Sequence, residues 1–210
     1  MSEAAGAAKI RDMPEHWPVA SSAELARGSL LRMRTDTVCI PGGQSADREI
    51  VEHPGAVAVL GLDESGRVLM IRQYRHPVGR LLWEIPAGLR DRPGEPLLTT
   101  AERELLEETG HRAADWRVLG DFFSSPGFST ERIRIFLARG LTEVPDTERE
   151  YVRHDEEAHL VLAWVPLAAA LAGILAGDLH NGVAALGILC AYAAREDGFA
   201  ALRDAAAPEH

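Results

Sequence analysis

The order of elements predicts an α/β (α+β) chain in which a mixed sheet is packed against a few helices. Three observations lead there. Short apolar strands recur with turn residues between them, and one helix in the middle has both ends marked. The composition, 46% hydrophobic and 26% charged over 210 residues, is that of a globular chain long enough for a large domain and a small attachment.

Taken in order, residues 1–27 are Ala-rich without a clear period. Leu30 to Ile40 reads as a strand, with Arg32, Arg34 and Asp36 alternating with Leu31, Met33 and Thr35. Pro41-Gly42-Gly43 is a turn, and Arg48 to His53 a returning strand closed by Pro54-Gly55. Ala56–Leu62 and Arg67–Tyr74 form a hairpin across Asp63-Glu64-Ser65-Gly66. A loop through Pro93-Gly94 leads to a helix over Thr100–Thr109. Strands follow at Trp116–Leu119, Arg132–Ala138 and Leu160–Val165, then helices at Leu167–Ala176 and Val183–Arg195. The expected organisation is an N-terminal antiparallel β unit over 1–54, a main domain over 55–196, and a frayed tail over 197–210.

With 32 acidic against 22 basic residues the formal charge is -10, which argues against broad contact with nucleic acid or anionic lipid. Residues 158–177 carry no charge, but His159, Pro166, Gly173 and Gly177 interrupt them, so a buried strand and helix are expected rather than a membrane span. Cys39 and Cys190 are too few for a disulfide framework or a cysteine-rich zinc site. Met1 to Gly6 lacks the basic start of a signal peptide, and a cytoplasmic protein is expected.

The chemistry concentrates on the central helix. Thr99 with Glu102 reads as a capping box, and Gly110 stands where a left-handed residue ends a helix. Leu98, Ala101 and Leu105 make its core stripe. Glu104 and Glu108 are one turn apart on one face, with Glu107 beside them. Two accounts are open on spacing alone. One is a solvated acidic face partly neutralised by Arg103; the other is an oxygen-donor site for a divalent cation, to which phosphate oxygens would also bind. The glycines ahead of the helix suit close approach to a ligand.

The same segment resembles the Nudix box, Gly-x5-Glu-x7-Arg-Glu-U-x-Glu-Glu-x-Gly-U with U aliphatic. The matching residues are Gly88, Glu95, Arg103, Glu104, Leu105, Glu107, Glu108 and Gly110. Six residues instead of five separate Gly88 from Glu95, and His111 replaces the final aliphatic residue. Gln73-Tyr74-Arg75-His76, Trp83-Glu84-Ile85-Pro86-Ala87-Gly88 and Ser125-Pro126-Gly127-Phe128-Ser129 are similar to segments of the ADP-ribose pyrophosphatases, most nearly the actinobacterial type.

The resemblance implies a Nudix α/β/α sandwich, hydrolysis of ADP-ribose to AMP and ribose 5-phosphate, a requirement for Mg²⁺ or Mn²⁺, and a homodimer joined through the N-terminal strands. It implies metal ligation by Glu104, Glu108 and the Ala87 carbonyl. Glu107 would be a further ligand or an acceptor beside them, and Arg103 would orient the carboxylates. Glu157 would be the base, with Glu156 its alternative, on the acidic loop 151–158. Arg75, Arg80 and Glu131 are candidates for the phosphates, terminal ribose or a neighbouring metal, and Glu84 for the adenine amino group or a sugar. Each is also compatible with an ordinary surface or ion-pair role. Other nucleoside diphosphate derivatives, or a silent sensor of the same fold, are the alternatives.

Overall fold

The computed structural model describes residues 10–145, 147 and 160–209. Glu156 and Glu157 therefore lie outside the described residues. The chain divides into two compact units, Met1–Val51 and Glu52–His210.

The first unit is a three-stranded sheet in the order β1 (Val19–Arg27), β2 (Arg32–Ile40), β3 (Gln44–Glu52), with β1 antiparallel to β2. Sequence reading misses β1, because all nine of its residues are exposed and no buried face imprints a period on them. The turn between β2 and β3 uses Gly42 and Gly43 at φ 102° and 90°, where a side chain would be strained.

The second unit is built on a mixed eight-stranded sheet. Its main order is β12 (Val161–Pro166), β5 (Arg67–Arg75), β4 (Ala56–Leu62), β10 (Arg132–Arg139), β9 (Asp115–Phe123), β13 (Arg203–Asp204). Only β4 with β10 is parallel among these neighbours. β4 and β5 pair only at Gly61–Leu69 and Leu62–Val68, then diverge. Into that opening come β6 (Arg80–Glu84), which pairs with β5, and β7 (Ala87–Leu89), which takes over the first half of β4. A two-stranded ribbon, β8 (His111–Arg112) with β11 (Thr142–Glu143), lies apart from the sheet.

Period-2 alternation sorts the core into two layers. Val57 and Val59 on β4, with Phe136 and Ala138 on β10, meet Ala101 and Leu105 of helix α1 (Leu97–Thr109). Ala58 and Leu60, with Ile135 and Leu137, meet the opposite layer. There stand α2 (Leu167–Ala176) and α3 (Gly182–Ala194), through Leu167, Ala170, Ala184, Ile188 and Ala191. The result is the expected α/β/α sandwich. Among the described residues no helix is long and apolar enough to cross a membrane.

Two local expectations are corrected. Helix α1 begins at Leu97 after Pro96, with no side-chain cap, so Thr99 is inside the first turn and makes no capping box. Leu97 and Leu98 pack against the α1-side core, and their burial extends the helix beyond its polar signal. Its end is as expected, with Gly110 left-handed at φ 71°. The tail is not frayed: Phe199 is buried, β13 pairs with β9, and the Ala207 carbonyl accepts a hydrogen bond from buried Arg134 at 2.6 Å.

Candidate active site

The site is assembled by β7 and α1. The pairing of β7 with β4 sets Gly88 opposite Val57 and Ala87 opposite Ala58. Helix α1, anchored on the same strand through Ala101 and Leu105, turns Glu104 and Glu108 inward until they are 9% and 4% exposed. Gly88 stands in this short strand, without a positive φ. Its requirement is close approach. A Cβ there would lie 2.0 Å from the Glu104 carboxyl carbon and 2.2 and 2.4 Å from its oxygens. The carboxylate therefore occupies a cradle that only glycine leaves open.

Arg103 braces the acidic face. Its guanidinium donates to Glu104 at 2.6 Å, Glu107 at 3.1 Å and Glu95 at 3.4 Å, and Asp91 lies at 3.6 Å. Burial works against its charge, but Glu104, Glu107 and Glu95 outweigh it and raise its pKa above the ordinary arginine range. Glu95, the box residue displaced by the six-residue spacing, accepts a 2.8 Å hydrogen bond from the Thr100 hydroxyl. That bond and the charge of Arg103 hold its carboxyl below the usual range. The Ala87 amide donates to Glu108 at 2.9 Å. In this way Glu104 and Glu108 are both tied to the β7 segment.

Ala87, Gly88, Arg103, Glu104, Glu107 and Glu108 line one cleft, together with Gln73, Arg75, Leu89, Asp91 and Arg92. Of the residues singled out in the sequence, Arg75, Ala87, Arg103, Glu104, Glu107 and Glu108 are brought together here. Three other candidates are not in the lining. Arg80 is exposed on β6. Glu131 accepts from Ser124, with His53 at 3.6 Å. Glu84 is buried, and Arg75 donates to it at 3.0 and 2.6 Å. Trp83 packs on the α2/α3-side core beneath Arg72, and Phe128 is exposed.

Gln73 escaped sequence reading as a site residue. The available signal was its place on β5: alternation puts it and Arg75 on the same face as Leu69, which packs towards α1.

Among the described residues no group of three or more His, Cys, Asp or Glu side chains forms an arrangement that could hold a metal ion. The donor chemistry nevertheless fits a hard cation. Glu104, Glu107 and Glu108 all offer oxygen, and the Gly88 cradle reserves space for one of them. Arg103 pairs with two of the carboxylates, Glu104 and Glu107, and the Ala87 amide with the third.

A second, larger concavity of about 670 Å³ lies away from this cleft, between the β4–β5 turn and Tyr192, Arg195 and Phe199. It is lined by none of the candidate site residues.

Comparison with known proteins agrees with the geometry. The NUDIX domain model matches residues 52–185. The chain is 46% identical over 182 residues to an ADP-ribose pyrophosphatase of Mycobacterium tuberculosis, covering 86% of each. It is 36% identical over 165 residues to an ADP-ribose pyrophosphatase of Bacillus subtilis, covering 79% of this chain and 86% of that one. A solved structure described as an ADP compounds hydrolase shares the fold, with a TM-score of 0.73 at 20% identity over 90% of this chain and 99% of the other. The matched region takes in every strand of the main sheet except β13, the β7 cradle and the whole of α1, and the chain belongs to the Nudix family.

Proposed function

We propose that the protein hydrolyses ADP-ribose at its pyrophosphate bond, water adding to one phosphorus to yield AMP and ribose 5-phosphate. The observation that carries this is the cleft, where Arg75 shares a wall with three clustered glutamates. Its near full-length relatives named above act as the specific guide to substrate.

Mg²⁺, or Mn²⁺ in its place, when bound supplies charge neutralisation at the diphosphate and lowers the pKa of a water. Glu104, Glu107, Glu108 and the Ala87 carbonyl would hold it. Arg103 keeps the carboxylates aligned by its ion pairs. Arg75 binds diphosphate oxygens, a task suited to a guanidinium fork. Arg80 and Glu131 extend the same reading towards the phosphates and terminal ribose. Glu157, with Glu156 as the alternative, takes the proton from the attacking water.

The test is a product analysis with ADP-ribose, NADH and nucleotide sugars, with and without Mg²⁺ or Mn²⁺. AMP and ribose 5-phosphate should appear from ADP-ribose only with metal. No turnover of any compound with either ion refutes the enzymatic reading, and preference for another compound refutes the substrate. Glu157→Gln should bind metal normally but turn over about 10²–10⁴-fold more slowly. A full rate would move the base elsewhere.

Two further parts belong to this proposal. The N-terminal unit, with an edge strand exposed along its length, joins two copies into a homodimer. Mass measurement in solution decides that. Residence in the cytoplasm would keep the free thiols of Cys39 and Cys190 reduced.

A further inference from the structure

We propose that Glu84 is a positioning residue, one that clamps the guanidinium of Arg75 and aims it into the cleft. The proposal rests on the reaction proposed above, because the clamp's purpose is to present Arg75 to a diphosphate. It also replaces the expectation that Glu84 touches adenine or a sugar.

The geometry is that of a fork. Arg75 Nε donates to Glu84 Oε1 at 3.0 Å and Nη2 donates to Oε2 at 2.6 Å. Gln73 Nε2 adds a bond to Oε2 at 3.2 Å. Strand register makes this reach possible: β5 and β6 are antiparallel, pairing Ile71 with Glu84 and Arg75 with Arg80. The Arg75 side chain therefore folds back along its own strand to reach Glu84.

The two ends of the pair differ in exposure. The Glu84 side chain is 3% exposed, while that of Arg75 is 44% exposed. Arg75 and Gln73 line the cleft and Glu84 does not. One edge of the guanidinium is held by a buried anion, on a side chain that lines the cleft.

Burying the Glu84 carboxylate carries a desolvation cost, so its pairing with a half-exposed arginine is a poor device for stability alone. Fixing an otherwise flexible arginine is a use that fits the fork. A lysine cannot make two parallel bonds and would not be oriented in this way.

The test uses the full-length protein with ADP-ribose and Mg²⁺. Glu84→Gln keeps the shape but loses the charge and sets an amide NH₂ against one guanidinium N–H. Its KM should rise about tenfold with kcat changed less than about threefold, the signature of lost substrate positioning. In an Arg75→Ala background the same substitution should leave KM where Arg75→Ala put it, because Glu84 acts only through Arg75. Should Glu84→Gln fail to fold, Arg75→Lys probes the same fork and should raise KM similarly. The proposal is overturned by a wild-type KM in Glu84→Gln or Arg75→Lys, or by KM effects that multiply in the double variant. No turnover by the unsubstituted chain refutes the reaction itself, and the clamp's purpose with it.

Discussion

Gly88→Ala tests whether the cradle under Glu104 matters. The added methyl group would stand 2.0–2.4 Å from all three carboxyl atoms. Ordinary separation between such atoms is about 3.5 Å, so the carboxylate must retreat by more than about 1 Å. The obstacle is the far end of a flexible side chain, and Gly88 does not need a left-handed backbone. Glu104 can therefore swing away at small cost to folding, but it cannot remain where it is. A displacement of this size at a reacting centre costs about 10²-fold in rate. The expected variant is folded, melts within a few degrees of the parent, and hydrolyses ADP-ribose about 10²-fold more slowly with a higher Mg²⁺ requirement. Mg²⁺ titrations of initial rate, paired with thermal melts, supply the assay. An unchanged rate and Mg²⁺ midpoint in a folded Gly88→Ala protein would show that the Glu104 position is not used.

Three other predictions concern charge and the tail. Arg103→Ala removes the cation that braces Glu104 and Glu107, and the metal-free protein should lose about 1–3 kcal/mol of stability. Mg²⁺ should then raise the melting temperature more than it does for the parent; an equal rise would mean that arginine and metal do not share the carboxylates. Burial of Asp121 works to raise its pKa, but hydrogen bonds and charge from Arg134 and Arg203 prevail and hold it below the ordinary range. Its contribution is therefore complete above the unfolded aspartate pKa of about 3.9 and is lost as pH falls towards the folded value. Urea midpoints of Asp121→Asn should decline less steeply than the parent's between about pH 5 and 3, and parallel declines would remove Asp121 from acid unfolding. Deleting residues 203–210 takes away β13 and the carbonyl that satisfies Arg134. A loss of about 1–3 kcal/mol in urea unfolding is expected, and an unchanged midpoint would mean that the docked tail contributes nothing.

The parts of the fold that were legible share a physical basis. Strands β4 and β10 are buried on both faces and read as nearly continuous apolar runs. Helix α1 ends where glycine can take φ 71°. What was missed lacks such local marks. Strand β1 has no buried face, the N-terminal start of α1 depends on leucines meeting a distant sheet, and the tail is ordered by arginines on β10. Strands β6 and β7 are recognisable only once β4 and β5 diverge and leave edges for them to join.

The same division runs through the site. Sequence by itself determined that Glu104 and Glu108 share a helix face with Glu107 beside them, because partners one turn apart are set by helix periodicity alone. It also determined the family, since the box is a pattern of spacing along the chain. Tertiary structure decided that Glu104 rests on Gly88, that the Ala87 amide holds Glu108, and that Glu84 holds Arg75 from below. Each of these contacts joins different elements, so its existence depends on strand register and on how deeply α1 is seated. Helix periodicity places a carboxylate on a face, and only packing determines what that carboxylate meets.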